Sequence, residues 1–280
     1  MQRAVAPMTQ EEYLLLNELI STQYGVFFSE HKREVLEARL RPRVQALHLP
    51  RYLDYYLQLR CDADGERQRL AELVTNNETY FFREAHQFEA LFGAALDELK
   101  TGAALPGTLR VLSAGCSSGE EPYSLSILAR QNGVRLGGTG ISVDAFDVDG
   151  QRIEMARRAE YRKGSLRSVD PERVDVLFTR AADDRFVLRP AFRGGVRFSG
   201  GNILEIASFL PAVPYDVVFC RNVLIYFSEV ALYRALTHFA RVLRPRGILF
   251  LGHAESIIGL TDQFETVVLG QTIAYRRTER

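Results

Sequence analysis

The amino-acid sequence predicts an α/β protein in two parts, a small all-helical module followed by a mostly parallel sheet with crossover helices and an antiparallel terminal strand. Three observations carry that prediction. Residues 8–92 show only helical periodicity. From Arg110 onward, short β-branched runs alternate with amphipathic helical stretches, which is the rhythm of a parallel sheet. Near the end, Thr266 to Leu269 and Thr272 to Arg276 flank Gly270-Gln271 as the arms of a hairpin, so the last strand runs back against its neighbours.

Composition bounds the partners. The 280 residues are 46% hydrophobic and 25% charged, enough apolar surface for one large or two modest domains. Lys+Arg and Asp+Glu both total 35, and a formal charge of zero gives no global attraction for nucleic acid or a membrane surface. Cys61, Cys116 and Cys220 are odd in number and lack C-x-x-C spacing, which argues for a reducing compartment rather than a disulfide framework. The five histidines are dispersed, so no metal site is expected. The first residues carry no charged-then-apolar leader pattern, and no apolar run reaches the about 18 residues of a membrane span. A soluble cytoplasmic protein is the expectation.

The helical module is assigned to residues 1–86. Met8 to Ile20 forms a first helix, ended by a turn at Tyr24-Gly25. Ser29 is the expected N-cap of a second helix, whose Leu36, Leu40, Val44 and Leu47 share one face. Lys32, Arg39 and Arg43 align beside that face, with Arg41 on the other flank. They either snorkel along the edge of the core or form a docking surface for an acidic helix or another anion. Pro42 removes a backbone bond to Ala38 and is expected to kink or split this helix. Leu53 to Leu59 and Arg67 to Val74 complete the module. Thr75 to Glu84 then runs from polar cap-forming residues into Tyr80, Phe81, Phe82 and the lone Arg83. Phe88, Leu91, Phe92, Ala95, Leu96 and Leu99 make one helical stripe, and Thr101 to Thr108 a linker.

The α/β part opens on Arg110 to Tyr123, a strand, a tight turn and a helix start. Gly115 and Gly119 let backbone approach a ligand, and the free amides of the helix start face it. Three readings are open for this turn. Gly115-Cys116-Ser117-Ser118-Gly119 satisfies the G-x-S-x-G nucleophile elbow, with Ser117 as nucleophile and His253 in the right chain order to serve it. It also suits the first loop of a nucleotide-type or S-adenosylmethionine-type domain. The third reading is an ordinary turn with no ligand. Cys116 is either a thiol activated at a helix N-terminus or a small packed side chain.

Further on, Gly133 to Gly140 reads as a turn, Ile141 to Phe146 as a strand ending at Asp147 and Asp149, and Gln151 to Ala159 as a helix. Residues 161–198 break the rhythm with a small helix, Pro171 to Leu177, and extended pieces at Arg185 to Leu188 and Val196 to Phe198. They read as an inserted antiparallel subdomain. Asp216 to Cys220 is a buried strand, Glu229 to Val242 a helix stopped by Arg244-Pro245-Arg246-Gly247, and Ile248 to Leu251 another strand.

Ligands of open α/β sheets sit beyond the carboxyl ends of the strands. That rule gathers Gly115, Glu120, Glu121, Asp147, Asn202, Arg221, Asn222 and Tyr226. The set suits a nucleoside better than an ester, because an acid ending the second strand can accept from both ribose hydroxyls. The alternative for Asp147 is to cap the helix near Gln151. No H-G-G-G segment supplies an oxyanion hole for a hydrolase.

With these residues in hand, the sequence resembles the CheR family, S-adenosylmethionine-dependent methyltransferases that esterify glutamates on bacterial chemotaxis receptors. The resemblance spans nearly the whole chain: the basic helical module, Thr75 to Glu84, Gly119-Glu120-Glu121-Pro122-Tyr123-Ser124, Phe146-Asp147-Val148-Asp149, and Phe219 to Phe227. It implies a Rossmann-like class I methyltransferase domain over residues 87–280, with 161–198 inserted. It also implies that Asn77, Thr79 and Arg83 contact the cofactor, with Arg83 near its methionine end or the incoming carboxylate. Gly115 would line the cradle, Glu121 hold the amino end, Asp147 the ribose, and Asn202 with Ile203 the adenine. Arg221 with Asn222 would form the floor, and Tyr226 stand beside the transferring methyl group.

The partner so implied is the cytoplasmic signalling domain of a chemoreceptor, met by a monomeric enzyme through Lys32, Arg39 and Arg43. In some members the inserted subdomain also grips a C-terminal tethering peptide. Cys116, where several family loops have Ala, and Pro42, inside the basic helix, depart from the pattern. A glutamate is already anionic at neutral pH, so no general base is implied. The task is alignment and exclusion of water, with S-adenosylhomocysteine as product. Both reacting charges are lost in the transition state, so Arg83 is expected to orient more than activate. A cofactor-binding sensor without catalysis is the remaining reading. His253 and Glu255 either line the pocket or pack beneath it.

Overall fold

A computed structural model describes residues 5–61, 65–100 and 107–279. The N-terminal module comprises α1 (Gln10–Tyr24), α2 (Arg33–Ala46), α3 (Tyr52–Cys61) and α4 (Glu66–Val74). Its core is built from Leu16, Ile20, Leu36, Leu40, Val44, Tyr52, Tyr55, Leu59 and Leu70, all removed from solvent. Helix α1 starts two residues later than the hydrophobic pattern suggests because Thr9 and Glu12 form a capping box. The Thr9 hydroxyl accepts from the Glu12 amide at 3.2 Å, and the Glu12 carboxylate accepts from the Thr9 amide at 2.8 Å.

Helix α2 is not split. Pro42 lies inside a helix that continues to Ala46. Both Pro42 and Ala38 are exposed, so the carbonyl that Pro42 leaves without a donor can turn to water. Nor is the arginine row a free basic edge. Arg39 Nη1 donates to the carbonyls of Val74 and Thr75 at 2.7 and 3.0 Å and lies over the Phe28 ring. Arg43 makes a two-pronged ion pair with Glu66, whose side chain is only 2% exposed. Lys32 of that row stays at the surface.

The stripe from Phe88 to Leu99 is buried as expected but is not one helix. α5 (Ala85–Ala90) and α6 (Leu96–Lys100) are joined by a π-turn, Leu91–Ala95, where Gly93 leaves helical geometry at φ −108°, ψ −113°. Most of the expected linker, residues 101–106, lies outside the described residues.

The α/β part continues with β1 (Thr108–Ala114), α7 (Glu120–Gln131), α8 (Gly133–Leu136), β2 (Gly140–Asp147) and α9 (Gly150–Arg158). Then come β3 (Glu160–Arg162), α10 (Pro171–Leu177), β4 (Phe178–Arg180), β5 (Arg185–Leu188) and β6 (Val196–Gly200). The chain ends with β7 (Tyr215–Cys220), α11 (Glu229–Val242), β8 (Leu243–Leu251), β9 (Phe264–Leu269) and β10 (Thr272–Arg277).

Seven strands form one sheet in the order β6-β2-β1-β7-β8-β10-β9. The first five are parallel, and β10 runs antiparallel between β8 and β9. Chain order reverses between β1 and β7, which opens a crevice at their carboxyl ends. Strand β7 is buried at every residue because helices cover both faces, hence its unbroken apolar run Val217-Val218-Phe219. Phe219 stacks on Phe250 at 4.7 Å and on Phe88 at 5.7 Å, tying β7 to β8 and α5.

Three further boundaries are revised. β6 pairs with β2 in the main sheet, so Val196–Phe198 belongs there and not to the insertion. The inserted sheet is β3-β5-β4. Arg244-Pro245-Arg246-Gly247, expected to be a stop, lies within β8, where the register against β7 shifts and Arg246 takes φ 61°. The expected turn at Gly133–Gly140 includes the single turn α8. Among the described residues no helix is long and apolar enough to cross a membrane, and no group of His, Cys, Asp and Glu is arranged to hold a metal ion.

Candidate active site

Backbone contacts draw the helical module over the crevice. The Phe27 amide donates to the Tyr226 carbonyl at 2.7 Å, the Ser228 amide to the Gly25 carbonyl at 2.9 Å, and Val26 bridges Phe227. A cleft remains between the two parts. Its walls are Val26 and Val74 to Thr79 on one side, the turn Gly115 to Ser117 with Glu121 and Asp147 on another, and Arg221 to Val223 with Tyr226 on the third.

The first turn is shaped by its neighbours. Gly115 has φ 77°, and a Cβ on it would stand 2.7 Å from a Val223 methyl group. Asp147, at the end of β2, holds this turn with one oxygen and its own with the other. Oδ2 accepts from the Ser117 amide at 2.8 Å and Oδ1 from the Asp149 amide at 2.9 Å. Burial pushes its carboxyl up to about 6 against the pull of those two amides. The cap of α9 is Asp149, which accepts from the Arg152 amide at 3.1 Å. Asp147 therefore does not cap that helix.

The floor is a buried charge array. The Arg221 side chain, 3% exposed, donates from Nε to Glu121 Oε2 at 2.6 Å, from Nη1 to the Arg83 carbonyl at 2.7 Å, and stands 4.0 Å from Glu84. Its guanidinium lies 4.8 Å from the centre of the Phe88 ring. The other Glu121 oxygen accepts from Ser113 at 2.6 Å. Glu84 also accepts from Asn222 at 3.3 Å and pairs with His253 at 2.9 Å. Burial raises the Glu84 carboxyl, but His253, Arg221 and Asn222 together outweigh it and hold it below its ordinary range.

Toward the opening, Arg83 donates to the Glu78 carbonyl at 2.8 Å and keeps part of its side chain in solvent. Tyr226 Oη accepts from Asn76 at 2.6 Å. Asn77 Nδ2 donates to Asp149 at 2.8 Å, fixing the segment that bears Thr79.

Of the residues singled out from sequence, Asn77, Thr79, Arg83, Gly115, Glu121, Asp147, Arg221, Asn222 and Tyr226 all line this one cleft. Asn202 and Ile203 do not. Asn202 lines a neighbouring cleft with Gln23, donating to the Gln23 carbonyl at 2.6 Å, while Ile203 packs into the core. The Gln23 side-chain oxygen there has no hydrogen-bond partner among the described residues. Asn76 was missed, although it sits in the polar run beside Asn77. Val26 carries no local signal, since only the docking of the two parts brings it to the cleft.

The nucleophile readings fail on geometry. The Ser117 hydroxyl donates to the Asn77 carbonyl at 3.3 Å, and His253 is engaged with Glu84. Burial, then the charges of Asp147 and Glu121, push the Cys116 thiol well above its usual range, the reverse of an activated cysteine. Neither His253 nor Glu255 lines the cleft.

Numbered within the main sheet, the strand order is 3-2-1-4-5-7-6, with the seventh strand antiparallel. Together with the turn after its first strand and the acid after its second, this is the build of a Rossmann-like methyltransferase domain. The pattern described as "CheR methyltransferase, SAM binding domain" matches residues 77–273, and "CheR methyltransferase, all-alpha domain" matches residues 11–75. The chain belongs to the CheR methyltransferase family, and its cofactor is S-adenosylmethionine. It is 31% identical to "Chemotaxis protein methyltransferase 2" of Vibrio cholerae, over 98% of this chain and 95% of that one. It is 34% identical to a chemotaxis protein methyltransferase of Klebsiella aerogenes, over 95% and 90% of the two chains. A counterpart in Salmonella typhimurium is 35% identical over 91% and 86%.

Proposed function

We propose that this enzyme methylates glutamate side chains of a bacterial chemoreceptor in the cytoplasm, leaving glutamate methyl esters and S-adenosylhomocysteine, for sensory adaptation. The observation that carries this reading is the character of the lining. Among the described residues it holds no His or Lys, its Glu121 is tied to Arg221, its Glu78 to Arg167 and its Asp147 to two backbone amides, and a part-exposed Arg83 stands at its edge. An amine or hydroxyl acceptor would need a base to take its proton. A carboxylate, anionic at neutral pH, needs none.

In this reading Asp147 accepts from the ribose hydroxyls with the lone pairs its amides leave free, and Glu121 receives the amino end. Asn77, Thr79 and Gly115 wall the cofactor, and Arg221 with Asn222 forms its floor. The adenine end runs toward the neighbouring cleft that Asn202 lines. The bound cofactor supplies an electrophilic methyl group. Arg83 orients the incoming carboxylate, and Tyr226, held by Asn76, borders the reacting end and excludes water. The functional division falls near residue 86, with the helical module forming the substrate-facing wall. Lys32 remains available for an acidic receptor surface, and the 161–198 insertion for a tethering peptide. A monomer suffices, since both walls of the cleft come from one chain.

The test is a kinetic split on a receptor cytoplasmic fragment. Asp147→Ala should raise the cofactor KM about tenfold or more, through loss of the ribose contacts, with a smaller change in kcat. Tyr226→Phe should lower kcat at saturating cofactor while leaving cofactor affinity near wild type. Small, equal effects from both would overturn these roles.

A further inference from the structure

The turn after β8 grips the turn after β7 through one carboxylate. Glu255 Oε2 accepts from the amides of Asn222 at 2.9 Å and Gly252 at 2.6 Å, and Oε1 from those of Val223 at 2.9 Å and Ile225 at 3.2 Å. The Glu255 amide donates back to the Gly252 carbonyl at 2.9 Å, closing its own turn. A Cβ on Gly252 would stand 2.6 Å from Asn222 Nδ2 and 2.8 Å from its amide nitrogen, so the two turns meet where only a glycine fits. Glu255 makes no ion pair among the described residues, and its charge is answered by backbone dipoles.

The segment held in this way carries part of the cleft wall. Asn222 adopts a left-handed backbone at φ 60°, uncommon for a residue with a side chain, and the single turn Leu224–Tyr226 follows it. Asparagine tolerates this conformation better than other residues with a side chain, and here the Glu255 carboxylate holds its amide in place. Four donors converge on two oxygens, which only a carboxylate satisfies, since a glutamine would aim its own N–H groups at two of them.

We infer that Glu255 is the positioning residue of the methyl-transfer site, an anionic clamp that fixes residues 222–226 so that Asn222 and Tyr226 face the cleft. The inference rests on the reading above, in which Tyr226 borders the reacting end. Glu255 itself stands behind the wall and touches neither cleft nor ligand.

The test compares Glu255→Gln and Glu255→Asp in the full chain. Glu255→Gln should lower kcat on the receptor fragment about tenfold or more, weaken S-adenosylhomocysteine binding by distinctly less through the loosened Asn222 floor, and speed amide exchange of residues 222–225 about tenfold. Glu255→Asp, which keeps both oxygens, should fall between wild type and Glu255→Gln and serves as the test if the glutamine variant does not fold. A kcat within about twofold of wild type with those amides still protected would overturn the clamp. So would cofactor affinity falling in step with kcat, which is the sign of general destabilisation. If wild type transfers no methyl group to the fragment, the proposed function fails, while amide exchange still decides whether Glu255 holds the turn.

Discussion

Burial displaces the carboxylate of Asp147 upward to about 6, although its two amide donors pull the other way. In its proposed role it must be ionised to accept from the ribose. As pH falls through 6 the free protein protonates this group, and binding must then expel the proton. Affinity for S-adenosylhomocysteine, whose own groups do not titrate in this range, should fall about tenfold between pH 7.5 and pH 5. Calorimetry on wild type and Asp147→Asn checks this, with weaker binding and a flat profile expected for the variant. An equally sloped variant would place the titration elsewhere. The position of Asp147 was legible in sequence because it ends the second strand, while the capping role left open for it falls to Asp149. That Asp147 holds the Ser117 turn was not, since the contact spans 30 residues. Asn202 shows the converse: its place after a strand was readable, but its amide is spent on the Gln23 carbonyl of a helix no local pattern brings near.

Helix α2 shows how far a periodic pattern can be trusted. Its apolar face was legible from Leu36, Leu40 and Val44, which are all fully buried. The fate of the basic row beside it was not, because a charged side chain near a core edge looks the same whether it meets solvent or a buried partner. Glu66 is that partner for Arg43, and its carboxylate has almost no access to water. Arg43→Ala would strand it, and should lower stability by about 1–3 kcal/mol in urea unfolding, with cofactor affinity of the folded protein unchanged. An unchanged midpoint accompanied by weaker receptor methylation would return Arg43 to a docking role. The aromatic run Tyr80-Phe81-Phe82 was equally opaque. Phe81 packs edge-on against Tyr161 at 4.8 Å and Phe178 at 5.0 Å, so the run anchors the inserted sheet to the segment between α4 and α5.

Across the whole molecule, the cleft exists because two separately packed cores are brought together by a few backbone contacts at Gly25 to Phe27 and Tyr226 to Ser228. The parallel sheet and its antiparallel last strand were readable from strand alternation and the terminal hairpin. The register irregularity in β8 and the π-turn at Gly93 were not, since each answers to packing with distant elements. The central claim is that the cleft directs a methyl group onto receptor carboxylates. Mass spectrometry of a chemoreceptor cytoplasmic fragment, incubated with the enzyme and S-adenosylmethionine, tests it most directly. The account predicts a gain of one methyl group on glutamate that mild base releases as methanol and that Asp147→Ala suppresses at limiting cofactor. A base-stable methyl group on lysine or arginine, or no methylation by an enzyme that binds the cofactor, would contradict it.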